Sequence, residues 1–100
     1  MFITKLSSLK GQPYSKVWLE GPRLDISRFN HKEPYTVEYG AAVITLRRCA
    51  GDADKIRRVA GTLARPIIDL GNKTVARMFS GSTHVAVDFN DGVITIRADH

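Results

Sequence analysis

The sequence predicts a mainly β protein with some helix, a small β-barrel with pseudo-twofold symmetry built from two repeated hairpin units joined by an amphipathic helix. Three observations carry this reading. Residues 37–47 (Val-Glu-Tyr-Gly-Ala-Ala-Val-Ile-Thr-Leu-Arg) return fifty positions later as residues 87–97 (Val-Asp-Phe-Asn-Asp-Gly-Val-Ile-Thr-Ile-Arg), with no gap. Extended to 16–47 against 66–97, the alignment holds seven identities, where average composition predicts roughly two. Within each copy, apolar and polar residues alternate with the period of a half-buried strand. We read an internal duplication. A chain of 100 residues suits one domain around one core, so 1–100 is taken as a single domain.

Taken in order, residues 2–6 alternate weakly and predict an edge strand, and residues 7–13 read as a loop from their Ser, Gly and Pro content. Residues 17–20 form a short strand that runs into the Gly21-Pro22 turn. Residues 24–29 suffice for one or two helical turns, and the polar loop 30–34 ends at a proline that keeps its predecessor extended. Residues 35–39 and 42–47 then make a hairpin. With its turn at Ala41-Ala42, Tyr35, Val37, Tyr39, Ile44 and Leu46 share an inner face, while Thr36, Glu38, Thr45 and Arg47 face outward. In the second copy the turn is Asp91-Gly92, and Val85, Val87, Phe89, Ile94 and Ile96 face inward. Two hairpins with one apolar face each bury those faces best against one another, and closure into a barrel removes exposed edges.

Between the copies, Ile56, Val59, Ala60 and Leu63 recur at helical spacing. Asp52 is placed as N-cap, Asp54 lies in the first turn and Arg65-Pro66 closes the segment, which predicts a helix over about 52–65. Gly61 inside it costs up to about 1 kcal/mol, so this helix needs its apolar face packed. Lys55, Arg58, Thr62 and Arg65, flanked by Arg57, form its polar stripe.

Charge is distributed unevenly. The net charge is +5, with +2 over residues 1–46, +4 over 47–66 and −1 over 67–100. A basic segment of this kind is the electrostatic footprint of a polyanion partner. Lys55, Arg57, Arg58 and Arg65, with Arg47 and Arg48, are the candidate phosphate contacts, and a solvated helix face is the plain alternative. The duplication adds the matched pairs Arg23 with Lys73 and Arg47 with Arg97. Tyr14 and Trp18 are the aromatics near the first copy that could stack on a base, although Trp18 also suits packing.

Other chemistries find little footing. Cys49 is the single cysteine, which excludes an internal disulfide, and it has no Cys or His neighbour at metal-ligand spacing. His31 and His84 fall in the loops before each hairpin and offer a general base and acid for a metal-independent ribonuclease, with no carboxylate placed to orient them. These two and His100 do not make a metal site, and no cofactor is implied. No apolar run approaches the roughly twenty residues of a membrane span, and the N-terminal apolar segment is too short for a signal peptide, so a cytoplasmic location is expected.

Val17, Leu19, Gly21, Leu24 and Phe29, then Tyr35, Val37, Tyr39 and the strand 43–47, follow a spacing that resembles the SymE-like branch of the AbrB/SpoVT swapped-hairpin superfamily. Tyr14-Ser15-Lys16 looks like the lead-in of SymE proteins. The resemblance covers most of 14–47 and, more weakly, 67–97, where Asp69 and Thr74 replace the two leucines. This chain has Arg28 and Met78 where the family usually carries Gly before the Phe, and Arg23 and Lys73 where it carries Trp before the Leu. The resemblance implies two half-units around a pseudo-twofold axis, with DNA binding in AbrB-like regulators and toxicity through RNA cleavage or nucleic-acid binding in SymE-like proteins. Family members generally carry one copy and dimerise, so both a self-complete barrel and a homodimer stay open.

The expected function is therefore binding of DNA or RNA through the basic segment and the matched arginines. A ribonuclease toxin is the enzyme alternative. A small phage or mobile-element protein that occludes an acidic host protein is the interaction alternative.

Overall fold

Alternation and turn chemistry produce both hairpins where the sequence places them. The computed structural model describes residues 1–99. In the first hairpin β4 (Pro34–Tyr39) pairs with β5 (Val43–Arg48), Val37 opposite Leu46 and Tyr39 opposite Ile44. The Gly40 N–H donates to the Val43 carbonyl at 2.7 Å, leaving Ala41-Ala42 as the turn. In the second, β9 (His84–Asn90) pairs with β10 (Val93–Asp99) around Asp91-Gly92, where Gly92 adopts φ 74°. Asp91 does not share the positive φ, so the turn is not the type I′ that Asp-Gly favours. A positive φ at the second central residue alone is the type II pattern, and Gly takes it without a Cβ penalty.

The two hairpins join through their second strands. β5 and β10 run antiparallel with Thr45 opposite Thr95, Ile44 opposite Ile96 and Leu46 opposite Ile94. Thr45 and Thr95 are the same position of the two copies, so exchanging the copies maps this ladder onto itself. A pseudo-twofold axis through that pair has this consequence.

The flanking strands obey the same exchange. β1 (Phe2–Lys5) pairs with β9 at one edge and β6 (Arg57–Arg58) with β4 at the other, giving a six-stranded sheet in the order β1-β9-β10-β5-β4-β6. A second sheet runs β2 (Ser7–Leu9), β3 (Gln12–Glu20), β8 (Pro66–Leu70), β7 (Ala60–Gly61). Its central pairs are Trp18 with Asp69 and Leu19 with Ile68, again interchanged by swapping the copies. Both strand orders read the same from either end once β1 is matched with β6, β2 with β7 and β3 with β8.

Two expectations are corrected. Residues 7–13 are not a loop but β2, a Lys10-Gly11 turn and the start of β3, with Leu9 opposite Gln12. The helix expected over 52–65 is absent, and the chain there makes turns followed by β6 and β7. Of the residues at helical spacing only Val59 is buried, at 2% exposure, while Leu63 is 81% exposed, so they never form one face. Gly61 has φ 83°, and a Cβ there would collide with the Arg65 carbonyl oxygen. The Val59 N–H donates to the Glu33 carbonyl and the Val59 carbonyl accepts from the Lys32 N–H, a strand's bonding and not a helix's.

This segment opens the second unit. The Leu6 N–H donates to the Thr83 carbonyl as the Val59 N–H donates to that of Glu33, and Thr83 lies fifty residues beyond Glu33. Leu6 and Val59 are both buried. Residues 57–59 therefore do for one half what residues 4–6 do for the other.

The core lies between the sheets. Val17, Leu19, Ile68 and Leu70 from the smaller sheet meet Ile44, Leu46, Val87, Ile94 and Ile96 from the larger. Two short helices, α1 (Pro22–Ile26) and α2 (Lys73–Met78), add Leu24 and Val75, and Phe29 and Phe79 follow them into the core. Asn72 caps α2 by accepting the Val75 N–H at 2.9 Å. Residues 2–9 and 57–61 each pair first into the large sheet and then into the small one. The two ladders are not closed into one barrel. No helix among the described residues is long and apolar enough to cross a membrane.

Candidate nucleic-acid interface

The pseudo-twofold axis places Arg47 and Arg97 on matching parts of the outer face, Arg47 opposite Val93 and Arg97 opposite Val43. Each has a carboxylate of its own. Arg47 Nε lies 2.5 Å from Glu38 Oε2, and Arg97 Nη1 lies 2.8 Å from Asp88 Oδ2. Glu38 and Asp88 stand opposite Thr45 and Thr95, so each arginine reaches its acid diagonally across a hairpin. The Met1 amino group adds a cation 3.9 Å from Asp88. This face carries compensated charge.

The β6 edge differs. Pairing of β6 with β4 sets Arg58 opposite Pro34 and Arg57 opposite Tyr35, and Arg58 Nη1 donates to the Lys32 carbonyl at 3.2 Å. Lys32 is thereby brought beside the two arginines, and Lys55 lies two residues before them. Lys32, Lys55, Arg57 and Arg58 are all exposed, and none has an acidic partner within salt-bridge distance among the described residues. Sequence alone does not reveal Lys32 as a member of this group, because it lies twenty-three residues from Lys55 and only the ladder unites them. The remaining members of the basic segment are partly engaged. Arg48 Nη2 lies 2.9 Å from Glu33 Oε2, with its Nε buried and unpartnered, and Arg65 Nε lies 3.9 Å from Glu20.

Arg23 and Lys73 sit on the two related helices in unlike surroundings. The Arg23 guanidinium stacks 4.1 Å from the centroid of the Phe2 ring, whereas Lys73 lines an open cleft beside α2. Trp18 is half-buried, with Lys16 Nζ 4.9 Å from its ring centroid.

The histidines do not converge. His84 opens β9 and its Nδ1 lies 2.8 Å from Thr83 Oγ1, while His31 precedes β4. β4 and β9 are antiparallel across two intervening strands, so the histidines lie at opposite ends of the sheet, separated by at least about 14 Å of strand spacing. One cannot act as base while the other acts as acid on a common atom. His100 lies outside the described residues. Among those residues no group of His, Cys, Asp and Glu could hold a metal, and Cys49 is free and half-buried.

Tyr35 lies between Arg57 and Arg48 in register and is 3% exposed. Burial pushes its phenol above the ordinary value, with the Arg57 guanidinium pulling the other way. The folded state thus holds the proton more tightly than the unfolded chain. Stability from this group is complete below about pH 10 and is lost as pH rises toward the raised folded value. Urea unfolding between about pH 8 and about pH 11 should show a decline that is shallower in Tyr35→Phe, and equal slopes would refute the assignment.

Comparison with protein-family models, with curated proteins and with solved structures gave no match.

Proposed function

We propose that this protein binds nucleic acid, docking the phosphate backbone on the β6 edge. The observation that carries the reading is the gathering there of Lys32, Lys55, Arg57 and Arg58 without acidic partners, while Arg47 and Arg97 are compensated. Cations without partners can exchange condensed counterions for protein contacts, whereas a paired arginine must first give up its carboxylate.

A SymE/AbrB-like character belongs to this proposal. The palindromic strand order and the strand, helix, hairpin succession in each half support it. So does reading the two sheets as a barrel whose corners are the segments 2–9 and 57–61, since strands that bend from one sheet into the next commonly make such corners. A ribonuclease based on His31 and His84 has no geometric support. An acidic host protein is the second reading, since the same cations without acidic partners would meet its carboxylates, while two arginines on a two-residue edge strand also suit plain protection of a sheet edge.

The test is binding to labelled duplex DNA, single-stranded DNA and RNA across a salt series. Four duplex phosphate contacts should lower affinity about a hundredfold between about 50 and about 200 mM salt. Absence of binding to all three at low salt would reject the reading and turn attention to the acidic protein partner.

A further inference from the structure

Two clefts meet along α2. One, of about 430 Å³, is lined by Lys10, Asn72 and Lys73, and the next, of about 320 Å³, by Tyr14, Ser80 and Thr83. Gln12 and Ala76 line both, so the two form one trough. No Asp or Glu lines either cleft, although the chain has 10 acidic residues. Lys10 and Lys73 have no acidic partner among the described residues, and Lys5 Nζ lies 5.6 Å from the centroid of the Tyr14 ring. The trough therefore combines uncompensated positive charge, hydroxyl and amide donors and the exposed Tyr14 ring, with the buried Phe79 at its floor.

The backbone at that ring is strained. Tyr14 has φ 56° inside β3, a conformation that costs energy for any residue with a Cβ. Packing does not account for it, since Tyr14 is 37% exposed and lies outside the core cluster. The positive φ belongs to a bulge in β3, where Pro13, Tyr14 and Ser15 stand against Ser8 alone between the pairs Leu9–Gln12 and Ser7–Lys16, and this bulge leaves the Tyr14 side chain exposed along the cleft.

We propose that this trough is a single-stranded nucleic-acid subsite, in which Tyr14 stacks on a base and Lys10 and Lys73 hold the adjoining phosphates. The inference rests on the nucleic-acid reading and adds a second place of contact to it. Bases in a duplex are already stacked on one another and present no free face to a tyrosine. An unpaired base does, and ring stacking is tolerant of sequence. At the offset of fifty residues Tyr14 aligns with Ala64, so the chain carries one such subsite and not two.

The experiment measures binding of a fluorescein-labelled thymidine dodecanucleotide and of a twelve-base-pair duplex to wild-type protein and to Tyr14→Gly, Tyr14→Phe and Lys10→Ala/Lys73→Ala variants. Tyr14→Gly should lower single-strand affinity about tenfold or more, with an unchanged salt slope and a raised melting temperature, because Gly relieves the positive φ. Tyr14→Phe keeps the ring and should bind as wild type. The double lysine variant should lower the single-strand salt slope by about 1.4, about 0.7 for each phosphate that a lysine neutralises. Duplex affinity should change little throughout. Single-strand binding that survives both the Gly and the double lysine substitutions would overturn this subsite while leaving the β6 reading intact. Absence of binding by wild-type protein to either probe would overturn both.

Discussion

Replacing Phe29 or Phe79 with Ala is expected to destabilise the protein by about 3–5 kcal/mol in either case. Both rings are almost fully buried, at 0% and 1% exposure, and they occupy the same position of the two halves. Phe29 also meets Tyr35 edge-on, with ring centroids 5.9 Å apart. A domain of this size has a total stability of about 5–15 kcal/mol, so either change removes a large share of it. Ile26→Ala is the control, since Ile26 is 78% exposed, and it should change stability by less than about 0.5 kcal/mol. Urea unfolding followed by circular dichroism gives all three values. The shape of the transition matters as much as its midpoint. One core draws on both halves, and the ladder between β5 and β10 joins them, so damage to one half should melt the whole in a single step. A cost near zero for either Phe, or a two-step transition with half the signal retained, would contradict the shared core.

The hairpins were legible because their chemistry is local. Alternation fixes the faces, Asp91-Gly92 names its own turn, and the repeat of Val-Ile-Thr-apolar-Arg announces the symmetry that later places Thr45 opposite Thr95. Even there the ends deviate, since Tyr39 on the inner face is 39% exposed where the hairpin runs past the core. The opening strand of the first half was legible as an edge strand over residues 2–6, but its counterpart in the second half was not. Residues 3–6 (Ile-Thr-Lys-Leu) and 56–59 (Ile-Arg-Arg-Val) correspond at an offset of fifty-three, and the shift of three hides the correspondence from an alignment held at fifty. In the second copy the residues also mimic a helix, because Ile56, Val59, Ala60 and Leu63 satisfy its period by accident. Gly61 was the contrary sign, and its positive φ is what a strand-to-turn corner uses and a helix does not. The candidate interface was half legible for a related reason. Sequence shows where arginines cluster but not which acids meet them. The pairing of Arg47 with Glu38 and Arg97 with Asp88 depends on register across a turn, and the arrival of Lys32 depends on a ladder between distant segments.

That distinction between compensated and uncompensated arginines predicts opposite outcomes for two sets of substitutions. Lys32, Lys55, Arg57 and Arg58 changed together to Ala should lower the duplex salt slope by about 3.6, about 0.9 for each phosphate no longer neutralised, and should weaken low-salt binding by orders of magnitude. Arg47→Ala/Arg97→Ala should leave the slope near its wild-type value, because these side chains reach carboxylates at 2.5 and 2.8 Å. Exposure of all six side chains makes global unfolding an unsuitable explanation for either result, and circular dichroism checks it. Composition alone treats every arginine as equal and expects the effect to scale with the number of charges removed. The structure expects it to scale with the charges that lack a partner. If the outer-face pair abolishes binding and the edge variant does not, nucleic acid docks across the sheet's outer face, displacing Glu38 and Asp88 from their arginines, and the β6 edge is protective. If the edge variant alone loses the salt dependence, the strand that opens the second half is the docking element, and Lys32 delivered to it by β4 belongs to the same phosphate-binding surface.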